Sequence, residues 1–162
     1  MQDIYDCTVQ YILENQNKFY RLAYSYVQDE ESALDVVQNA ICRGLEGCYS
    51  LRNPLALKTW FYRIIVNEAL QYLRKQKKET TLTEEHTAGL TYSEPAFTED
   101  TATYNAVMQL PEPLKTVVIL RYYEDLTLKQ IAEITDTNLN TVKTRLYSAL
   151  KKLKQTLKEA EA

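Results

Sequence analysis

The side chains best suited to a specific chemical task lie in residues 126–148, near the carboxyl end of this chain. Residues 126–134 have the apolar spacing of a short helix, a polar turn follows, and a second helical pattern begins near Asn140. This order is typical of a helix-turn-helix, whose second helix places its first residues in a DNA groove. The side chains there that can contact base edges or phosphates are Asn140, Thr141, Lys143, Thr144, Arg145 and Ser148. We therefore predict DNA binding, although an amphipathic surface helix with solubilising lysines would have a similar pattern.

No group of residues in the sequence has the types and spacing that predict catalysis or metal binding. His86 is the only histidine, and no glycine-rich phosphate loop is present. The three cysteines, Cys7, Cys42 and Cys48, form no Cys-x-x-Cys pair and are expected to be reduced thiols. We expect no enzymatic activity, no cofactor, no metal and no small-molecule substrate.

The net charge of −3 hides an uneven distribution. Residues 79–103 carry six acidic side chains and no lysine or arginine, so the rest of the chain has 19 basic against 16 acidic residues. This segment is rich in Thr and Glu and lacks apolar periodicity, which predicts a flexible acidic linker. The remainder is mildly cationic, as DNA binding requires.

The fold class expected is all-α, with two small helical domains at residues 1–78 and 104–158. Only three glycines and four prolines occur, and helical apolar spacing runs through both segments. Asp29 and Thr127 are predicted N-caps, and a third helix should run from about Pro54 to about Lys77. Gly44 and Gly47 should weaken the end of the second helix. No apolar run approaches the roughly 20 residues of a membrane span, and the first residues do not resemble a secretory signal, so we expect a cytoplasmic protein.

Several ordered motifs resemble those of bacterial extracytoplasmic-function sigma factors, the small class with only regions two and four. In the first half these are residues 19–24 (FYRLAY), 33–38 (ALDVVQ) and 59–67 (TWFYRIIVN). In the second half they are Leu110-Pro111, residues 131–133 (IAE) and residues 141–146 (TVKTRL). The resemblance covers nearly the whole chain, and it implies a factor that recruits core RNA polymerase to promoters.

The resemblance also implies roles for individual residues. The second helix of the family docks on the beta-prime clamp helices of the polymerase, which here implies Asp35, Gln38, Asn39 and Cys42. A loop and the third helix open the promoter element nearest the start site by capturing a flipped base. The candidates for this task are Tyr49, Arg52, Asn53, Trp60, Arg63, Asn67 and Arg74, although a lone Trp between apolar neighbours is more often a core residue. The helix-turn-helix residues would read the farther element, with the beta flap of the polymerase as a further contact.

Family members are often held inactive by a membrane-bound anti-sigma factor, and the resemblance implies such a partner. Two features depart from the family pattern. Asn39 stands where Glu is common, and residues 136–140 lack the usual turn glycines at Asp136 and Asn140. Because Asp and Asn tolerate left-handed backbone and cap helices, we expect the turn to form. The alternative from another class is a stand-alone dimeric helix-turn-helix regulator, which would bind a palindrome and would not need Asp35 or Gln38.

Overall fold

The computed structural model describes residues 3–82 and 101–161, all of whose regular elements are helices. The chain divides into two compact units, Met1–Ser93 and Glu94–Ala162. The predicted linker lies mostly at residues 83–100, outside the described residues. Helices nevertheless extend into both ends of the predicted linker, as described below.

The first unit contains three long helices: α1 (Ile4–Val27), α2 (Glu30–Gly47) and α3 (Leu57–Leu82). Gln28 takes a left-handed conformation that ends α1, and Asp29 then caps α2 by accepting a hydrogen bond from the Ser32 N–H at 2.9 Å. The prediction of Asp29 as an N-cap is therefore confirmed. Helix α3 continues beyond the expected end at Lys77, because the Lys, Gln and Glu residues that follow Arg74 favour helix without needing an apolar stripe.

Aromatic side chains form the centre of the first unit. Phe19 of α1 and Phe61 of α3 are completely buried, and their ring centroids lie 4.9 Å apart. Tyr11 and Tyr62 pack against this pair at centroid distances of 5.6 Å from Phe19. Helices α1 and α3 are thus fixed to each other by ring contacts that fill the interior of the unit.

Helix α2 continues through Gly44 and ends at Gly47, within the stretch where the sequence predicted a weakened helix end. A Cβ atom at Gly44 would lie 2.7 Å from Cε1 of Phe61, well inside van der Waals contact. Gly44 therefore lets α2 approach α3 closely enough to cover the Phe61 ring. Tertiary packing outweighs the helix propensity lost at glycine.

Two polar contacts also join α2 to α3. The exposed Arg43 donates from Nε to Oε1 of Glu68, whose side chain is buried. At the other end of α2, the Ser32 hydroxyl donates to Asp29 at 2.7 Å and is hydrogen-bonded to the Tyr72 hydroxyl of α3. These contacts fix the register of the two helices at both ends of their shared surface.

The second unit contains α4 (Thr101–Met108), α5 (Glu112–Val118), α6 (Leu128–Thr135) and α7 (Leu139–Glu161). A single wider turn, Ile119–Tyr123, continues α5, and Asp125 in a left-handed conformation starts the connection to α6. The side chains at the centre of this unit are apolar and almost fully buried: Leu120, Leu126, Ile131, Ile134, Val142 and Ala149. Helix α4 begins inside the predicted linker, where no apolar period was apparent.

Helix α6 and the turn after it have well-defined caps. Thr127 accepts from the Gln130 N–H at 3.1 Å, and the Gln130 side chain accepts from the Thr127 N–H at 2.9 Å, which completes a capping box and confirms the predicted N-cap. Asp136 ends α6 in a left-handed conformation (φ 53°, ψ 46°). Asn138 then accepts from the Asn140 N–H at 2.7 Å and caps α7. The turn forms without glycine as expected, and Asn140 is already the second residue of α7.

Candidate functional site

The outer face of α2 contains the four residues predicted to bind a protein partner. Asp35, Gln38, Asn39 and Cys42 are all exposed, and their spacing of three, four and seven residues places them on one side of the helix. The opposite side of α2 is buried against α1 and α3, so the side that carries these four residues faces solvent. The structure therefore brings the four predicted residues together.

An apolar stripe that the sequence reasoning did not identify borders this polar face. Leu34 is 50% exposed, and Ile41 and Leu45 follow at seven and eleven residues with half-buried side chains. Interfaces combine an apolar centre with a polar rim. The signal in the sequence was Leu34, one helical turn before Gln38. Whether Leu34 is exposed, however, depends on how α2 packs, which the sequence alone does not show.

The segment after α2 holds Tyr49 in an exposed but fixed position. Its ring stacks on Tyr5 of α1, with a centroid distance of 6.2 Å and an interplanar angle of 14°. The Tyr49 hydroxyl donates to Oδ2 of Asp3 at 3.2 Å. Partial desolvation, followed by this hydrogen bond, raises the pKa of Tyr49, so the neutral phenol is the donor. Asp3 and Tyr5 belong to this site and were missed, because they lie more than 40 residues away in sequence.

The remainder of the loop presents one cation and one apolar side chain to solvent. Arg52 is exposed, and Asn53 accepts from the Leu55 N–H at 3.0 Å, so Asn53 also caps the turn that leads into α3. Leu55 is 90% exposed, the highest value among the large apolar residues described. The loop therefore combines an aromatic ring, a guanidinium group and an apolar tip within a few residues.

Helix α3 carries the remaining residues that were predicted to contact the near promoter element. Arg63, Asn67 and Arg74 are exposed and share one face. Trp60 is half-buried, and the ring atom Cζ2 would lie 3.5 Å from a Cβ at Gly47. Trp60 thus packs on the end of α2 and still exposes part of its indole, which is compatible with both of the roles considered for it.

The first turns of α7 display the residues predicted to read DNA. Asn140, Lys143 and Thr144 are exposed, and Thr141, Arg145 and Ser148 are half-buried. Tyr147 is 73% exposed beside them and was not among the predicted site residues. Behind this face, Val142 and Ala149 are completely buried. The start of α7 is therefore held firmly by the unit's interior while its outer side is free for contact.

Positive charge dominates the solvent-exposed side of α7. Its exposed cations are Lys143, Lys151, Lys152, Lys154 and Lys158. Exposed lysines of this kind can neutralise phosphates without reading sequence, and the affinity that such contacts provide falls as salt rises. Within the described ranges there is no group of three His, Cys, Asp or Glu side chains arranged to hold a metal. No helix in the described part of the chain is long and apolar enough to span a membrane.

Comparison with known proteins identifies both units. Residues 11–79 match the family model described as Sigma-70 region 2, and residues 101–153 match the model described as Sigma-70, region 4. The chain is 46% identical over 140 residues to the RNA polymerase sigma factor SigV of Bacillus subtilis, covering 86% of this chain and 84% of that protein. It is 32% identical over 149 residues to the ECF RNA polymerase sigma-E factor of Haemophilus influenzae, covering 83% of this chain and 78% of that protein.

A solved structure shows the same fold. The sigma factor RpoE from Bartonella quintana, crystallised with the anti-sigma factor NepR, superposes with a TM-score of 0.81 at 22% identity, over 92% of this chain and 95% of that one. The two family models match the two units in the order that the sequence motifs predicted. This chain therefore belongs to the extracytoplasmic-function class of RNA polymerase sigma factors in the sigma-70 family.

Proposed function

We propose that this sigma factor divides transcription initiation among three surfaces, and that the α2 face is the one that attaches it to core RNA polymerase. The observation that carries the proposal is the grouping of Asp35, Gln38, Asn39 and Cys42 on the single exposed side of a helix that is otherwise packed. The expected target is the beta-prime clamp helices. Leu34 supplies an exposed apolar anchor beside the polar residues, as protein interfaces require.

The near promoter element is assigned to the loop after α2 and to the exposed face of α3. Opening DNA there requires one base to leave the stack, at a cost of a few kcal/mol that contacts to the flipped base must offset. Tyr49 offers a ring for stacking, Arg52 and Arg63 offer cations, and Asn67 offers an amide that can hydrogen-bond a base edge. All four are on surfaces of the first unit, which also carries the polymerase-binding face.

The far promoter element is assigned to the start of α7. Asn140 and Thr144 are exposed where a recognition helix contacts base edges, and Lys143 and Arg145 are the nearby phosphate partners. The beta flap of the polymerase is the expected protein contact of this second unit. Because it acts with core polymerase at promoters, we expect the protein in the cytoplasm.

We also propose an anti-sigma factor as a regulatory partner. The Bartonella quintana RpoE structure is a complex with NepR, and a second structure of the same fold, CnrH (TM-score 0.68, 15% identity), is a complex with the cytosolic domain of CnrY. We propose that the partner of this chain covers the exposed α2 face and the apolar Leu34 beside it. A membrane-anchored inhibitor with a cytosolic segment is the expected form.

Transcription reconstituted from purified components tests the proposal. Core RNA polymerase is combined with this protein on a library of promoter fragments, and transcripts are sequenced. We expect a small set of start sites that require the protein, and a shift in the preferred far element when Thr144 is changed to Ala. If the protein instead formed a dimer on a palindromic site and supported no core-dependent transcript, the stand-alone regulator would be the correct assignment.

A further inference from the structure

Tyr49 has the most exposed aromatic ring among the described residues of the first unit, and several contacts fix its position. Tyr49 is 65% exposed, yet it lies in a tight turn, Cys48–Ser50, whose flanks are bonded. The Ser50 hydroxyl donates to the carbonyl of Gly47 at 2.7 Å, and the neighbouring Cys48 is completely buried. The backbone that carries the ring is thus anchored on both sides. An exposed side chain with this much support is preorganised for contact with something outside the chain.

Two residues at the start of α1, Asp3 and Tyr5, contact Tyr49, and Asp3 does so instead of capping its own helix. Asp3 is the N-cap residue of α1, but its side chain makes no capping bond. Its carboxylate instead accepts a hydrogen bond from the Tyr49 hydroxyl at 3.2 Å, across 46 residues of sequence. Tyr5, two residues further on, lies nearly parallel to the Tyr49 ring. An N-cap side chain normally stabilises its own helix, so its engagement with Tyr49 indicates that the ring position matters.

Only one face of the Tyr49 ring is covered. Tyr5 stacks on one side at a centroid distance of 6.2 Å, and an exposure of 65% is too large for the opposite face to be covered as well. The open face lies on the same loop as the exposed cation Arg52. An open aromatic face and an exposed guanidinium on the same short loop are groups with which proteins bind unpaired bases, because every base has a π face and every nucleotide a phosphate.

We propose that Asp3 and Tyr5 are positioning residues that hold Tyr49 as a preformed stacking platform for one unpaired base of the near promoter element. The ligand is a flipped base of single-stranded DNA, and the first turn of α1 thereby contributes to promoter selectivity. This inference rests on the proposed function of the loop and adds Asp3 and Tyr5 to it. Preorganisation by Tyr5 and Asp3 lowers the entropy lost when the base stacks.

The test combines protein variants with promoter DNA that lacks single bases. Holoenzyme is assembled with core polymerase, and its affinity is measured for promoter DNA containing a preformed bubble over the near element. Each non-template position in the bubble is replaced in turn by an abasic site. For the unmodified protein, we expect one position where loss of the base weakens binding about tenfold, the size expected for one base stacked on an aromatic ring.

Holoenzyme with the Tyr49→Ala variant should bind intact bubble DNA about as weakly as the unmodified holoenzyme binds DNA with that abasic position. Introducing the abasic site should weaken binding by this variant no further. Tyr5→Leu, Asp3→Ala and Tyr49→Phe should each cause a smaller loss, about two- to fourfold, that disappears at the same position. Asp3→Ala and Tyr49→Phe remove the same hydrogen bond, so combining them should add nothing. Asp6→Ala, which removes an exposed acid from the same turn of α1, is the matched control and should bind as the unmodified protein does.

Affinity for core polymerase alone is the second measurement, and it should not change in any of these variants. The inference is overturned if Tyr49→Ala keeps the full penalty at every abasic position, or if the Tyr5 and Asp3 variants bind intact bubbles normally. A different result, in which the unmodified holoenzyme discriminates no promoter at all, would overturn the proposed function itself.

Discussion

Gly44 provides the sharpest quantitative test of how the first unit is packed. Replacing it with Ala adds one methyl group whose carbon would lie 2.7 Å from Cε1 and 3.0 Å from Cδ1 of Phe61. The Phe61 ring cannot move aside easily, because it is completely buried and packs against Phe19 and Tyr11. The substitution therefore requires α2 or the aromatic cluster to shift.

The expected magnitude follows from two opposing terms. Forcing an extra methyl group into a packed interior costs about 1–3 kcal/mol, whereas Gly to Ala inside a helix gains up to about 1 kcal/mol. We expect the free energy of unfolding to fall by about 1 kcal/mol in Gly44→Ala. Gly47→Ala is the matched control, since its Cβ would lie 3.5 Å from Trp60, an ordinary contact distance. That variant should be equal to or slightly more stable than the unmodified protein.

Urea denaturation of the full chain measures both variants. Trp60 is the only tryptophan, so its fluorescence reports on the first unit, and far-ultraviolet circular dichroism checks the result independently. A loss of about 1 kcal/mol corresponds to a fall of roughly 4–8 °C in the melting temperature for a unit of this size. If Gly44→Ala were as stable as Gly47→Ala, the close approach of α2 to α3 would be incorrect.

Three further predictions concern a cap in each unit and the DNA-binding surface. Hydrogen bonds from the Ser32 hydroxyl and N–H lower the pKa of Asp29 below its ordinary value of 3.8. The ionised Asp29 therefore stabilises the folded state above about pH 3.8, and this stabilisation is lost as the pH falls through the lower pKa of the folded state. Asp29→Asn should be less stable than the unmodified protein at pH 7. In urea titrations, the difference in stability between the two proteins should shrink towards pH 3. Thr127→Ala removes one half of the capping box and should lower the stability of the second unit by about 1 kcal/mol in thermal denaturation, whereas the exposed Lys129→Ala should not. Lys143→Ala should weaken holoenzyme binding about equally on all promoters and reduce the salt slope by about 1, and a change in sequence preference would contradict its role as a phosphate partner.

The fold was largely predictable because its determinants are local. Asp29 and Thr127 are followed at three residues by groups that complete their caps, and the apolar side of α2 is evident from Ala33, Val36 and Val37. Once that side is assigned to the interior, the exposure of Asp35 and Gln38 follows from the helical period. The placement of most predicted site residues on exposed surfaces therefore required no knowledge of tertiary contacts.

The features that could not be predicted depend on contacts between distant residues. Gly44 is unfavourable within its own helix, and only the Phe61 ring explains its presence. Asp3 has the sequence signature of an ordinary N-cap, and only the fold shows that its carboxylate contacts Tyr49. The end of α3 was misplaced for a different reason, because its last turns form without an apolar stripe.

The most direct test of the central claim is the affinity of this protein for core RNA polymerase, measured with the Asp35→Ala, Gln38→Ala double variant. Truncation of hot-spot side chains in a protein interface costs about 2 kcal/mol or more, so we expect binding to weaken by about 30-fold or more if Asp35 and Gln38 act as the hot spot of this face. The control is the Asp6→Ala, Gln16→Ala double variant, which removes the same two side-chain types from exposed positions of α1 and should bind normally. Equal affinities for the two double variants would contradict the assignment of the α2 face as the polymerase-binding surface.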